Sequence, residues 1–196
     1  MNQLSNARKV RAYTNIALIK YWGKRDDALI LPTSSSLSLT LDAFYTETSV
    51  SFDESIEKDT FYLNDTLQDE AATLKVSRFL NLFRETADVK APAIIKSINY
   101  VPTAAGLASS ASGMAALAGA ANLATGLNLS PQDLSIFARQ GSGSATRSIY
   151  GGFVEWQKGT SSKDSYAVKI DDATWDIGML VVVVNKKQKE LSSREG

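Results

Sequence analysis

The feature that most constrains the fold is a run of small residues near the middle of the chain. Residues 111–123 are rich in alanine and carry no charged side chain. An amphipathic surface helix alternates apolar and charged faces, and this segment has no charged face to turn towards water. We therefore expect a helix that is buried on most of its sides.

Period-two patterns elsewhere predict strands. From Ser36 onwards, three leucines alternate with polar residues, which indicates a strand with one buried face. Residues 60–63 run into Asn64-Asp65, a pair that tolerates positive φ and is typical of a hairpin turn. The other strand patterns, rich in β-branched, aromatic or aliphatic residues, cover 10–13, 45–52, 93–100, 152–157, 166–170 and 179–184.

Helical patterns lie between these strands. Residues 69–87 change to spacings of three to five between apolar positions, as on one helix face. Ser130-Pro131 followed by an acidic residue is a good helix start, and a short helix is predicted near Gly143. Strands dominate the first third and helices alternate with strands later, so the predicted class is α+β rather than a regular βαβ repeat.

Composition excludes several kinds of chemistry. The 196 residues include no cysteine and no histidine, so thiol nucleophiles, zinc–thiolate sites and a Ser-His-Asp triad are ruled out. The 21 basic and 21 acidic residues balance, so no overall charge favours nucleic acid or an anionic membrane as partner. No secretory signal and no membrane-spanning run is evident, and we expect a cytoplasmic protein.

A short motif precedes the small-residue helix. Residues 102–111 read PTAAGLASSA. Unpaired backbone N–H groups at a helix start favour a bound anion, and Ser109 and Ser110 add hydroxyl donors. The motif is neither a Walker loop nor a Rossmann fingerprint. Composition alone leaves a second interpretation open, in which a Ser/Ala loop simply caps a core helix.

Two other segments offer groups suited to an anionic ligand. Tyr21 and Lys24 bring a phenol and an ammonium close together in the sequence, whereas Trp22 between them is expected to pack in the core. The alternative for Lys20, Lys24 and Arg25 is a solvated basic patch. Residues 141–144 read GSGS and predict an anion nest or, equally, a turn between helices. Arg147, three residues after Ser144, is expected on the same helix face.

The motifs resemble those of a known family. Residues 102–111 fill every fixed position of the Pro-x-x-x-Gly-Leu-x-Ser-Ser-Ala pattern with which GHMP kinases hold ATP. Residues 14–24, 99–110, 141–148, 151–156 and the closing 192–194 resemble blocks of the mevalonate diphosphate decarboxylase family within that group. These blocks are collinear and span essentially the whole sequence.

The resemblance implies a fold and a set of binding residues. Residues 1–196 would form the N-terminal, ATP-binding lobe of a GHMP kinase, a mixed or antiparallel sheet packed with helices, with the family's C-terminal lobe absent. The residues implied in binding ATP, with Mg²⁺ at Ser109, are Pro102, Gly106, Leu107, Ala108, Ser109 and Ser110. Those implied in binding mevalonate diphosphate are Asn15, Tyr21, Lys24, Ser142, Gly143, Ser144, Arg147, Ser193 and Arg194. Lys24, Arg147 and Ser109 would act in catalysis.

The resemblance also implies the reaction and its limits. The family phosphorylates the C3 hydroxyl of mevalonate diphosphate and then releases phosphate and carbon dioxide to form isopentenyl diphosphate. Its catalytic aspartate matches no position here, so the sequence is expected to be an N-terminal fragment that does not turn over by itself. The complete protein would be a homodimer. Two alternatives stay open: a GHMP kinase that phosphorylates mevalonate or its phosphate, and a non-catalytic binding module.

Overall fold

The computed structural model describes residues 8–101 and 109–180, and these form an α+β fold. The predicted fold class is therefore confirmed. The strands are β1 (Val10–Ile19), β2 (Lys24–Asp26), β3 (Leu31–Pro32), β4 (Ser36–Phe52), β5 (Thr60–Leu63), β6 (Thr66–Leu67), β7 (Ala93–Asn99), β8 (Phe153–Trp156) and β9 (Ala167–Asp171). The helices are α1 (Glu70–Ala87), α2 (Ser109–Thr125), α3 (Pro131–Gly141) and a 3₁₀ helix, Gly143–Ile149.

One mixed sheet organises the domain. Its strand order is β6-β5-β7-β4-β8-β9, and β1 pairs with β4 as well. All neighbours are antiparallel except β5 and β7, which run parallel. Strand β4 is the hub, since it pairs with β1, β7 and β8. The small β2-β3 hairpin lies outside this sheet.

The central strand differs from the sequence prediction in two ways. Residues 36–41 and 45–52 were predicted as separate patterns, but they form one 17-residue strand, β4. The polar positions opposite the leucines were expected to face water, yet Ser36 and Ser38 are 2% and 0% exposed. The reason is tertiary: the 3₁₀ helix packs over the polar face, and its Arg147 donates to the Ser36 hydroxyl. The Ser38 hydroxyl donates to the Val154 carbonyl of the neighbouring strand β8. The serine face of this end of β4 is therefore buried, whereas on the leucine face Leu39 is buried and Leu37 and Leu41 are half-buried.

Helix α2 occupies the centre of the core, as its composition predicts. Nine of its 17 residues are buried, and they pack with residues of α1, α3, β1, β4 and β7. Helix α2 and the sheet approach closely at Gly119, where an added Cβ would lie 2.6 Å from the Val10 side chain. A hydrogen bond of 2.8 Å between the Thr46 and Ser112 hydroxyls ties α2 to β4. Small residues are required along this contact.

Local signals for helix and turn boundaries are confirmed. Asp69 caps α1 by accepting from the Ala72 N–H, and Ser130 caps α3 by accepting from the Asp133 N–H. Asn64 and Asp65 both have positive φ, 51° and 60°, in the turn between β5 and β6. Strand β1 extends to Ile19, beyond the predicted residue 13. Of the strand predicted at 179–184, residues 179 and 180 are not in a strand and the others lie outside the described residues.

A largely buried ion pair connects α1 to the segment that precedes β5. Arg84 donates to both carboxylate oxygens of Asp59, at 2.6 and 3.0 Å, and each side chain is 11% exposed. The Ala93 N–H at the start of β7 also donates to Asp59, at 2.7 Å. Burial alone would raise the pKa of Asp59, but the hydrogen bonds from Arg84, Ser77 and Ala93 outweigh it and hold the pKa below its usual value.

Asp59→Asn is expected to lower the free energy of unfolding by about 3 kcal/mol at neutral pH, because it leaves the Arg84 cation buried without its partner. Since the folded pKa of Asp59 is depressed, this stabilisation is present above the ordinary aspartate pKa and is lost as the pH falls through the folded value. Urea titrations of both proteins should therefore converge in acid. Glu47→Gln, at the more exposed Arg11–Glu47 pair, is the control and should cost less than about 1 kcal/mol. An equal cost for the two changes would contradict this prediction.

No helix within the described residues has the length and apolar character needed to cross a membrane.

Candidate substrate-binding site

The buried guanidinium of Arg147 is the centre of the site. Arg147 lies on the 3₁₀ helix and is only 2% exposed. Its Nη1 donates to the Ser36 hydroxyl at 2.6 Å, and its Nη2 donates to Asn15 Oδ1 at 3.4 Å. Its Nε is buried without a hydrogen-bond partner. Among the described residues no carboxylate forms an ion pair with it.

Arg147 nevertheless stays charged at neutral pH. Burial lowers its pKa to about 10, against a smaller opposing effect of the nearby Tyr21. A buried cation with no internal counter-ion is costly unless a ligand supplies the negative charge. A planar guanidinium with an unsatisfied donor matches a carboxylate or phosphate. The arrangement is therefore suited to bind an anion.

Asn15 is locked into one orientation beside this arginine. It lies on β1 and is 7% exposed. Its Nδ2 donates to the Ser144 carbonyl at 2.9 Å and to the Ser148 hydroxyl at 2.8 Å. Since both amide hydrogens are used there, Oδ1 must face Arg147. Asn15 was predicted among the residues that bind mevalonate diphosphate, and the structure places it in contact with Arg147.

Tyr21 lies beside Gly143, whose missing side chain leaves room for the Tyr21 ring near Arg147. The Tyr21 ring packs edge-on against Trp156, with ring centroids 4.7 Å apart and an interplanar angle of 76°. A Cβ added at Gly143 would lie 2.6 Å from the Tyr21 hydroxyl and 3.0 Å from the Trp156 ring. The glycine is therefore needed for close approach and not for an unusual φ. The Tyr21 phenol, Gly143 and Arg147 form one cluster.

The GSGS segment forms the connection between two helices. Gly141 ends α3, Ser142 is the shared cap residue, and the 3₁₀ helix begins at Gly143. Both interpretations of this segment are therefore compatible with the structure, since it is a turn that also carries hydroxyls. The Ser142 and Ser144 hydroxyls lie 3.3 Å apart and are both partly buried. Because residues three apart eclipse in a 3₁₀ helix, Ser144 and Arg147 share one face, as predicted.

Lys24 and Trp22 lie differently from the other predicted residues. Lys24 is exposed on β2, where its ammonium pairs with Asp27 at 3.1 Å, and no described contact joins it to Arg147. The prediction that Trp22 packs in the core is wrong, because its side chain is 78% exposed. Its backbone carbonyl accepts a hydrogen bond from the Thr33 hydroxyl.

The predicted nucleotide motif is described only at its helical end. Ser109 begins α2, and Ser109 and Ser110 are both exposed in its first turn, which contains no acidic residue. This end of a 17-residue helix keeps its anion-attracting N–H groups free of a competing carboxylate. Pro102, Gly106, Leu107 and Ala108, and also Ser193 and Arg194, lie outside the described residues. Nothing in the structure tests their predicted roles.

A second buried arginine provides a useful contrast. Arg139, on α3, is 0% exposed, and burial lowers its pKa to about 10. Its Nε donates to the Leu29 carbonyl at 3.0 Å, Nη1 donates to the Ser162 and Ser165 carbonyls, and Nη2 donates to the Ser162 hydroxyl at 2.6 Å. All three of its nitrogens have protein partners, so Arg139 fastens loops and is not a second anion site.

Sequence reasoning missed Ser36 and Ser148. Both are buried, at 2% and 5% exposure, and both contact the Arg147–Asn15 pair. A signal existed for Ser36, since it begins the run of polar positions on the face of β4 opposite the leucines.

A cavity of about 490 Å³ elsewhere, lined by Tyr13, Leu41 and Trp175 among others, includes none of the predicted site residues.

Fold and site together define an α+β domain of the GHMP kinase type. The sequence model of the protein family described as diphosphomevalonate decarboxylase-like N-terminal domain matches residues 12–167. The chain belongs to the diphosphomevalonate decarboxylase family.

Relatives and solved structures agree with this assignment. A diphosphomevalonate decarboxylase from Ganoderma lucidum is 48% identical, over 94% of this chain and 51% of that protein. The mevalonate diphosphate decarboxylase from Staphylococcus aureus matches with a TM-score of 0.87 and 48% identity, over 95% of this chain and 57% of that one. A structure described as MDDEF in complex with MVAPP, AMPPCP and magnesium matches with a TM-score of 0.86 and 57% identity, over 96% of this chain and 58% of that one. The chain spans about half the length of the curated relatives it matches.

Proposed function

We propose that the complete protein carrying this chain converts mevalonate 5-diphosphate to isopentenyl diphosphate, consuming ATP and releasing ADP, phosphate and carbon dioxide. The observation that carries the proposal is the buried Arg147, which has a free donor and no carboxylate partner among the described residues. The family supports the same activity. The chain contributes the N-terminal, nucleotide- and substrate-binding lobe over residues 1–196, and a C-terminal lobe completes the protein.

Arg147 binds the substrate carboxylate in this proposal, supported by Asn15. A fixed guanidinium holds the carboxylate while the C3 hydroxyl is phosphorylated. The phosphorylated oxygen then leaves as phosphate, the bond to the carboxylate breaks to release carbon dioxide, and its electron pair forms the alkene. Positioning and electrostatic stabilisation are what such a transfer requires from a protein.

The substrate diphosphate is bound by groups from distant segments. Tyr21 lies against Gly143, within the cluster that also holds Ser144. The remaining residues assigned to the diphosphate are Lys24, Ser142, Ser193 and Arg194. The ammonium of Lys24 is exposed and its Asp27 partner is solvated, so the exchange of that carboxylate for a phosphate costs little.

ATP is held by residues 102–110, with its phosphates at the start of α2. The exposed hydroxyls of Ser109 and Ser110 and the absence of acid in the first turn fit a polyanion. Among the described residues, no group of three or more acidic side chains is arranged to hold a metal ion. Ser109 is the proposed protein ligand of the Mg²⁺ that accompanies ATP. The ion would neutralise charge that develops on the transferred phosphoryl group.

The catalytic base is proposed to lie outside this chain. Asp26 accepts from the Leu29 N–H at 2.9 Å, and Asp27 lies at the surface beside Lys24. Within the described residues, no hydrogen bond or ion pair joins either carboxylate to Arg147. We also propose that the complete protein is a cytoplasmic homodimer. Light scattering of the purified complete protein would give its mass and so test the oligomeric state.

The function is tested by turnover of the complete protein with mevalonate diphosphate, ATP and magnesium. The expected result is one carbon dioxide and one ADP released for each substrate consumed. ADP without carbon dioxide would indicate the alternative, a GHMP kinase, and the absence of both would indicate a binding module. The 196-residue chain by itself is expected to bind substrate and nucleotide weakly and to release no carbon dioxide. Robust release by that chain would place the base within it.

A further inference from the structure

We infer that Ser36 is a positioning residue that holds the Arg147 guanidinium in the orientation needed for the substrate carboxylate. The inference rests on the proposed function and assigns to it a residue from a distant strand. Ser36 accepts the shortest hydrogen bond that Arg147 makes, 2.6 Å from Nη1, and is itself 2% exposed. Hydrogen bonds to a charged donor at this distance are among the stronger kind.

Ser36 is well placed to fix a partner because its own backbone is fixed. It begins β4 and is paired with Trp156 of β8, a side chain that is 0% exposed. The Trp156 indole donates to the Ser165 hydroxyl at 3.0 Å, which secures the ring. The serine hydroxyl therefore projects from a hydrogen-bonded strand and not from a loop.

The other side of the guanidinium is held by a different strand. Asn15 of β1 accepts from Nη2, and its amide is locked by Ser144 and Ser148. Two nitrogens of Arg147 are thus fixed by two neighbouring strands of one sheet. Both acceptors are neutral, so they orient the guanidinium without neutralising it. Nε has no hydrogen-bond partner among the described residues.

Arg139 shows that this pattern is not a general consequence of burial. Its carbonyl and hydroxyl partners satisfy every nitrogen, which is the expected solution for a structural arginine. Arg147 instead has one short bond, one long bond and one nitrogen with no partner. The short bond to Ser36 is therefore the principal restraint on its position.

The test is Ser36→Ala in the complete protein, with Ser38→Ala as the matched control. Ser38 lies two residues along the same face of β4 and is 0% exposed, but its hydroxyl reaches only the Val154 carbonyl, at 3.5 Å. We expect Ser36→Ala to lower kcat/KM for mevalonate diphosphate by about 10- to 30-fold. The KM for ATP should change by less than about twofold, and Ser38→Ala should match the wild type in both.

Two further measurements separate positioning from a structural role. Ser36→Cys keeps the side-chain size but offers only a weak acceptor, so it should fold and lose activity as Ser36→Ala does. In an Arg147→Gln background, Ser36→Ala should change kcat/KM by less than about twofold, because it acts through the arginine. This inference alone would be overturned if the wild type turns over and Ser36→Cys keeps near wild-type activity. It would also be overturned if the wild type turns over and the losses from Ser36→Ala and Arg147→Gln add in the double variant. A complete wild-type protein that releases no carbon dioxide would overturn the proposed function and this inference with it.

Discussion

Arg147→Gln in the complete protein is expected to reduce kcat/KM for mevalonate diphosphate by about 1,000-fold. The change removes the buried cation and the free donor that are proposed to hold the substrate carboxylate. Glutamine is uncharged, so the variant keeps a polar side chain at this position without the cation. Steady-state measurement of carbon dioxide release gives the loss, and a thermal melt of the same sample reports the fold.

Arg139→Gln is the matched control, since it also replaces a buried arginine. It removes bonds to the Leu29, Ser162 and Ser165 carbonyls, and these hold loops rather than ligand. We expect a lower melting temperature and kcat/KM within about threefold of wild type for the folded protein. Near-normal kinetics for Arg147→Gln, together with an intact melt, would return Arg147 to a structural role.

Gly143→Ala is expected to weaken substrate turnover by about 100-fold. The new methyl group would overlap the Tyr21 hydroxyl at 2.6 Å and press on the Trp156 ring at 3.0 Å. Trp156 is 0% exposed and cannot yield easily, so Tyr21 must move away from the site. A displacement on the order of 1 Å of a positioning group can cost about 100-fold in rate. The effect should appear in kcat/KM for mevalonate diphosphate and not in the KM for ATP.

Gly151→Ala is the control for the extra methyl group. Gly151 is exposed, and a Cβ added there meets nothing within 4 Å. Its kinetics and melting temperature should match those of the wild type. If Gly143→Ala shows wild-type affinity for mevalonate diphosphate, Tyr21 is not part of the binding surface.

Much of the fold follows from local signals in the sequence. The small-residue run predicts the buried α2, because such a helix has no charged face to expose. Ser130 and Asp69 mark helix starts through their own side-chain hydrogen bonds, and Asn64-Asp65 marks a turn through backbone geometry. These features depend on neighbours within a few residues, which is why sequence alone suffices to predict them.

The site follows from the sequence only in part. The motif resemblance pointed to Asn15, Tyr21, Gly143 and Arg147, and the structure places these four residues together. Resemblance could not indicate that Trp22 is exposed, because exposure depends on which other parts of the chain pack against the side chain. The roles of the residues remain predictions until the variants above are measured.

What the sequence determined by itself is the α+β class, the buried central helix and the family. What only the tertiary structure decided is the surroundings of Arg147. Ser36 and Asn15 are separated from it by 111 and 132 residues, and they meet it because β1 and β4 pair in one sheet while the 3₁₀ helix covers their polar face. From the sequence alone, a hydroxyl on the polar face of a strand is expected to contact water. It becomes a partner for a buried cation only when another part of the chain folds over it.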